Sequence, residues 1–380
     1  MGAGIAQVAA HAGYEVLVHD PFPGAWSRAR DRIDTYLERQ VSRGQLNPGQ
    51  AAAVSGRLGT GARIEDLAAA GLVIEAIPED LELKRDAFGR LDATATPDTV
   101  LATNTSSLSV AAIAAATTRP AQVVGMHFFN PVHAMRLVEV IAAAETGEPA
   151  VAAVEEVAQR LGKTTVRAAD TPGFIVNRVA RPFYLESLRI LGAGLAGIEA
   201  IDLALRAAGF KMGPFELIDT IGLDVNLAVS QSVFDAFGEQ PRYRPSPIQE
   251  RLVAEDRFGR KAGAGFYDYD PGDGSRRGPW SGLPKPATPM AATEISARVL
   301  ATIVNEAASA LEDGIASAAD IDTAMELGTN WPHGPLAWGE ELGLGAVLAT
   351  LSRLATTEPD GTYAAVPLLR VAAGGTGFGR

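Results

Sequence analysis

The stretch from Gly125 to Glu139 reads Gly-Met-His-Phe-Phe-Asn-Pro-Val-His-Ala-Met-Arg-Leu-Val-Glu and holds the clearest chemical pair in the chain. A carboxylate on one nitrogen of an imidazole fixes its tautomer and stabilises its protonated form, which leaves the other nitrogen able to exchange a proton. His127 and Glu139 become such a pair if the backbone brings them side by side. The apolar run from Gln122 to Phe129 has the character of a buried strand, Asn130-Pro131 stops it, and Leu137 to Ile141 reads as a second short strand. Two adjacent strands would return Glu139 to His127. On these two residues alone, a satisfied core histidine and an unrelated surface glutamate is the weightier reading.

Three other stretches have chemistry in them. Met1 to Gly13 reads as a helix stopped by Gly13, and Glu15 to His19 as a strand that ends on Asp20. Helix, glycine, strand and acid make the second half of a dinucleotide-binding unit, in which the helix N-terminus receives a pyrophosphate and the acid a ribose hydroxyl. Gly2 and Gly4 stand where the glycine fingerprint should be finishing; an Asp after a strand is also an ordinary turn residue. Asn104-Thr-Ser-Ser-Leu108 sets small polar side chains between a strand at Thr99 to Thr103 and a helix at Val110 to Ala116, a junction where open α/β sheets bind ligands and also where helices are capped. From Gly24 to about Gln45 a helical pattern carries Arg28, Arg30, Arg32, Arg39 and Arg43, with Arg39 and Arg43 four apart. That stripe is either a phosphate site or a solvated face.

These residues need a scaffold, and the totals bound it. A chain of 380 residues with 47% hydrophobic and 21% charged residues is a globular protein of two or three packed units. No apolar run is long enough for a membrane span and no signal peptide is evident. The lack of cysteine excludes disulfides and thiolate chemistry and fits a reducing, cytoplasmic setting. A net charge of −12 argues against broad nucleic-acid binding. Strand candidates at Leu72 to Ile77, Thr99 to Thr103, the two described above and Lys163 to Arg167 alternate with helical patterns, which implies a mostly parallel sheet.

After Asp170-Thr-Pro-Gly173 the pattern turns helical. Asp270 to Pro289, with five prolines and four glycines, reads as a linker. Beyond it there is a repeat: Ile201-Asp-Leu-Ala-Leu, Gly213-Pro-Phe-Glu-Leu and Gly222-Leu-Asp recur as Ile321-Asp-Thr-Ala-Met, Gly334-Pro-Leu-Ala-Trp and Gly343-Leu-Gly. The alignment sets Arg298 opposite Arg178 and Ala297 opposite Asn177, so the second copy keeps the frame and loses an amide. The expected domains are therefore 1–169, 170–269, a linker at 270–289 and a degenerate copy at 290–380.

Together, Met1-Gly-Ala-Gly-Ile-Ala-Gln-Val-Ala, Asn104-Thr-Ser-Ser-Leu, His127-Phe-Phe-Asn-Pro, Leu137-Val-Glu-Val and Asp170-Thr-Pro-Gly-Phe-Ile-Val-Asn-Arg178 resemble the L-3-hydroxyacyl-CoA dehydrogenase family over nearly the whole chain. The resemblance implies a Rossmann-like α/β domain followed by two duplicated all-α domains of the 6-phosphogluconate-dehydrogenase C-terminal type. It implies NAD-dependent oxidation of an (S)-3-hydroxyacyl-CoA, with His127 as general acid/base, Glu139 as its partner, and Ser106 and Asn177 holding the substrate oxygen. It further implies cofactor contacts from Gly2, Asp20, Glu79, Lys84, Asn104 and Asn130. A ribose-binding Asp disfavours a 2′-phosphate, hence NAD rather than NADP. Arg39 and Arg43 are the candidate site for the CoA phosphates. No metal is expected, and a homodimer is compatible with the pattern.

The duplication is similar to that of longer bacterial members acting on 3-hydroxybutyryl-CoA or 3-hydroxyadipyl-CoA in fatty-acid or phenylacetate catabolism, although the connector between the copies is much shorter here. Met1 falls inside the family's Gly-x-Gly-x-Met-Gly motif, so the first strand is expected upstream, and its neighbours should lack a pairing partner. Two other readings remain open: a catalytically impaired or structural relative, and a dehydrogenase of a free hydroxy or sugar acid.

Overall fold

The computed structural model describes residues 1–286 and 289–379; Ala287 and Thr288, in the expected linker, and Arg380, in the expected second copy, lie outside the described residues. The chain divides into two compact units, Met1–Thr171 and Pro172–Arg380.

The first unit runs α1 (Gly2–His11), β1 (Val16–Val18), α2 (Ala25–Ser42), α3 (Pro48–Gly56), β2 (Leu58–Thr60), β3 (Leu72–Glu75), α4 (Leu81–Thr94), β4 (Val100–Thr103), α5 (Val110–Ala114), β5 (Val123–Phe128), β6 (Leu137–Ala142), α6 (Glu148–Arg160) and β7 (Thr164–Ala169). Five strands form one sheet in the order β3-β4-β5-β6-β7, parallel except where β5 meets β6. β1 and β2 pair in a separate parallel sheet, and among the described residues neither β1 nor β3 has a strand on its other side.

β5 is the centre of this unit, and every one of its residues is buried. Val124 and Met126 of β5 share a core with Val138 and Val140 of β6, with Val151, Val154 and Ala158 of α6, and with Ile5 of α1. Each of these Val, Ile and Met side chains contributes about 1.5–3 kcal/mol by leaving water. At Gly125 a Cβ would stand 2.7 Å from Cβ of Ile141, its partner on β6, so the two strands approach there as only glycine permits.

The sequence reading of one long helix from Gly24 to Gln45 needs correction. α2 ends at Ser42, Arg43 is its C-cap, and a second helix, α3, follows. Asn47 and Gln50 form a capping box at the start of α3, with the Gln50 amide donating to Asn47 Oδ1 at 2.8 Å and the Asn47 amide to Gln50 Oε1 at 2.9 Å.

The second unit holds α7 (Val176–Val179), α8 (Arg181–Gly192), α9 (Ile198–Ala207), α10 (Pro214–Ile221), α11 (Leu223–Ala236) and α12 (Pro247–Ala254), then β8 (Tyr267–Tyr269) and β9 (Arg276–Pro279). It continues with α13 (Ala292–Glu312), α14 (Ala318–Thr329), α15 (Pro335–Leu342), α16 (Leu344–Thr357) and α17 (Pro367–Val371). The Pro- and Gly-rich stretch is thus more than a connector, because β9 lies within it and pairs antiparallel with β8. Its glycines and Asp270 build the hairpin turn, in which the Asp270 amide donates to the Ser275 carbonyl at 2.7 Å.

The repeat follows from one device used twice. Buried Asp202 accepts the Phe215 amide at 2.9 Å and so caps α10; buried Asp322 accepts the Leu336 amide at 2.8 Å and the Ala337 amide at 3.1 Å at the start of α15. A Cβ on Gly213 or Gly334 would fall 2.2 Å from atoms of these carboxylate side chains, which is why Gly-Pro recurs with Ile-Asp.

Candidate active site

His127 and Glu139 are register partners across β5 and β6, so the alternating pleat directs both side chains to the same face. His127 Nδ1 lies 2.7 Å from Glu139 Oε2, and both residues are buried. His127 Nε2 lies 3.1 Å from Ser106 Oγ. With the carboxylate ionised, Nδ1 carries the proton and Nε2 accepts from the serine hydroxyl. The Phe129 ring packs 4.6 Å from the imidazole, centre to centre.

The loop holding Ser106 is fixed from two sides. Asn104 Oδ1 accepts the Phe128 amide at 2.8 Å, stitching the end of β4 to the end of β5 beside His127. Glu79 Oε1 accepts from the Thr105 hydroxyl at 2.7 Å, the Ser106 amide at 2.7 Å, and the Ser107 amide and hydroxyl at 2.9 and 3.0 Å. Burial works to raise the Glu79 pKa, but the Thr105 hydroxyl, the Lys84 ammonium and the Ser106 amide outweigh it and hold the carboxyl below its usual range.

Lys84 is buried with its ammonium 2.7 Å from Glu75 Oε1 and 3.4 Å from Glu79 Oε2. Glu75 Oε2 in turn accepts the Thr103 hydroxyl at 2.7 Å. On the far side of the loop, Asp170 receives the Ser109 hydroxyl at 2.7 Å and the Val110 and Ala111 amides at 2.9 and 2.8 Å, closing the N-terminus of α5. The turn between β5 and β6 is held by Lys163, whose buried ammonium donates to the Val132 and Met135 carbonyls at 2.5 and 2.7 Å; burial pushes its pKa down.

One connected network therefore contains Ser106, His127, Glu139, Glu79, Lys84 and Asn104. Asp20, Asn130, Arg39 and Arg43 are exposed, and Gly2 opens α1. Arg43 is the C-cap of α2, and its amide donates to the Arg39 carbonyl at 3.1 Å, so it still stands one turn beyond Arg39. Asn177 belongs to the second unit, in the one-turn helix α7, where its carbonyl accepts from Arg181 Nε at 2.8 Å. Glu75, Thr103, Asp170 and Lys163 were not anticipated. For Glu75 the available signal was a carboxylate at the end of the apolar run Leu72-Val-Ile.

Residues 1–171 match the 3-hydroxyacyl-CoA dehydrogenase NAD binding domain, and residues 173–269 and 295–380 match the 3-hydroxyacyl-CoA dehydrogenase C-terminal domain. The chain belongs to the 3-hydroxyacyl-CoA dehydrogenase family. It is 38% identical to 3-hydroxyadipyl-CoA dehydrogenase of Escherichia coli (strain K12), covering 97% of this chain and 94% of that one. It is 42% identical to 3-hydroxybutyryl-CoA dehydrogenase of Mycobacterium tuberculosis, covering 95% of that protein but 71% of this chain. The crystal structure of 3-hydroxybutyryl-CoA dehydrogenase from Escherichia coli K12 superposes with a TM-score of 0.89 over 98% of this chain and 96% of that one, at 38% identity.

The first unit is thus the family's NAD-binding domain, and its residues fit the dinucleotide. The first turn of α1 has no side-chain cap; the Gly4 and Ile5 amides donate to the Met1 carbonyl at 2.8 and 3.1 Å, and the Gly2 and Ala3 amides suit an anion such as the pyrophosphate. A Cβ on Gly4 would come 3.0 Å from Val132 Cγ2, so α1 packs close against the turn after β5. Asp20 takes the Phe22 amide on one oxygen at 3.0 Å, and its second oxygen makes no hydrogen bond among the described residues, as suits a ribose hydroxyl. No group of three or more His, Cys, Asp or Glu among the described residues has the arrangement of a metal site, and no described helix is long and apolar enough to cross a membrane.

Proposed function

We propose that the protein oxidises (S)-3-hydroxyacyl-CoA thioesters to 3-oxoacyl-CoA with NAD, and that His127 is the base. The observation that supports this best is the buried His127 Nδ1 to Glu139 contact of 2.7 Å, with Nε2 directed to Ser106 Oγ at 3.1 Å. NAD, when bound, accepts the hydride from C3. His127 Nε2 takes the hydroxyl proton, and Glu139 stabilises the imidazolium that results, a contribution of roughly 10²–10⁴ in rate. The Ser106 hydroxyl donates to the oxygen as its charge changes, with Asn177 as the second donor. In the return direction the same imidazolium gives the proton back.

The names of the relatives support a short thioester, 3-hydroxybutyryl-CoA or 3-hydroxyadipyl-CoA, as the substrate. Arg39 and Arg43, exposed at the end of α2, are the proposed contacts for the CoA phosphates. The test is NAD reduction with (S)-3-hydroxybutyryl-CoA, its (R) isomer and free 3-hydroxybutyrate. Turnover restricted to the (S) thioester is expected; equal turnover of the free acid refutes the reading. Reversing the charge of Arg39 and Arg43 should raise the KM for the thioester several-fold and leave kcat in place; an unchanged KM removes them from the CoA site.

A further inference from the structure

The two helical copies exchange buried ion pairs. Arg178 of the first copy donates from Nε to Glu306 Oε1 on α13 of the second at 2.7 Å, and Tyr243 OH of the first donates to the same oxygen at 2.6 Å. Arg298 of the second copy donates from Nε to Glu186 Oε1 on α8 of the first at 2.6 Å, and Tyr363 OH meets both oxygens of Glu186 at 3.1 and 3.0 Å. The offset that carries Asp202 onto Asp322 carries Arg178 onto Arg298, Glu186 onto Glu306 and Tyr243 onto Tyr363. The same offset carries Asn177 onto Ala297. One clamp therefore stands beside the amide and the other beside a methyl group.

The clamp at Arg178 is also the more heavily built. Arg178 Nη2 donates to Ser309 Oγ at 2.9 Å and Asp313 Oδ2 at 2.7 Å, both from the second copy, and its guanidinium lies 4.7 Å from the centre of the Phe237 ring. Its neighbour Asn177 sits in α7, a helix of four residues whose Val179 and Ala180 amides donate to the Ile175 and Val176 carbonyls at 2.9 and 3.0 Å, and a helix this short takes its stability from packing rather than from propensity. The turn before α7 is strained at buried Phe174, with φ 47°, while Gly173 takes its φ of 75° freely. Consecutive residues of a helix point about 100° apart, so fixing the Arg178 side chain fixes the rotation of α7 and hence the direction of Asn177.

We propose that the second copy acts on the first as a positioning element, with Glu306 orienting Asn177 through Arg178. This rests on the reading of Asn177 as the second donor to the substrate oxygen. The pseudo-symmetry supplies its own control, since Glu186→Gln opens an equivalent buried pair with no amide beside it. In the intact chain, Glu306→Gln should lower kcat/KM for (S)-3-hydroxybutyryl-CoA by roughly 10²-fold while NAD affinity holds, because misplacing a substrate-orienting group by about 1 Å costs that much. Glu186→Gln should lose similar thermal stability and keep its kcat/KM. If either glutamate variant fails to fold, Tyr243→Phe against Tyr363→Phe poses the same contrast with a smaller disturbance. Equal losses in the two members of a pair, or none in Glu306→Gln or Tyr243→Phe, would overturn the proposal. Asn177→Ala is measured alongside: undiminished kcat/KM there overturns the reading of Asn177 and the proposal with it, whereas a loss in Asn177→Ala with none in Glu306→Gln overturns the positioning role alone.

Discussion

His127 with Glu139 and Arg298 with Glu186 are both buried ion-pair partners at 2.7 and 2.6 Å, yet they are built for opposite ends. The arginine cannot lose its proton, and its Nη2 donates to the Tyr363 hydroxyl at 2.8 Å. The second nitrogen of the imidazole faces the hydroxyl of a serine on a loop, where a ring nitrogen can take up or release a proton. Burial and a short contact are common to both. What separates a reactive pair from a structural one is a proton that can leave and a second edge aimed at a polar site.

The contrast is open to attack at several points. The largest effect is expected from Glu139→Gln, which keeps the shape but withdraws the charge proposed to stabilise the imidazolium. Its kcat should fall by about 10²-fold or more, with NAD affinity retained in a titration; a kcat near that of the parent would reduce the pair to packing. Next comes Arg298→Met, which leaves buried Glu186 only the more distant Arg189, 3.4 Å from its Oε2, and the Tyr363 hydroxyl. Equilibrium unfolding should register a loss below the roughly 3–5 kcal/mol of a wholly uncompensated buried charge, while turnover per folded molecule stays close to the parent's. A collapse of turnover in the folded fraction would erase the distinction drawn between the two pairs.

The smallest effect concerns a third buried carboxylate, Asp202. Burial is the main influence on it and raises its pKa from the ordinary 3.8 to about 7, against the opposing hydrogen bonds from the Tyr267 hydroxyl and the Phe215 amide. The folded state thus holds this proton more tightly than the unfolded chain. Its contribution to stability is full below about pH 4 and is lost as pH rises to about 7. Melting temperature should accordingly fall across that interval through this group, and Asp202→Asn should flatten that part of the dependence. An Asn variant with the parent's full pH dependence would remove Asp202 as its source.

Much of this was legible in the sequence for a physical reason. The His127 and Glu139 pairing could be read because both strands are short, apolar and joined by a turn, so the register follows from local pattern. The repeat was legible because Asp and Gly-Pro must recur together wherever an aspartate caps the next helix. The exchange of Arg178 and Arg298 between the copies was not, since each partner comes from the opposite copy and no local pattern links Arg178 to Glu306. Glu75 was hidden for a related reason: its partners Lys84 and Thr103 come from a helix and a neighbouring strand, and only the sheet order brings them together. The end of α2 was read two to three residues too late because the helical pattern continues past Ser42 although the helix does not.

The central claim, that His127 moves the substrate proton for a CoA thioester, is tested most directly by NADH consumption with acetoacetyl-CoA in the parent chain and in His127→Gln. The account predicts saturable, thioester-dependent consumption in the parent and a loss of roughly 10²–10⁴ in kcat in the variant, with its affinity for NADH preserved. Parent-like turnover in His127→Gln, or consumption by the parent that proceeds equally well with free acetoacetate, would contradict it.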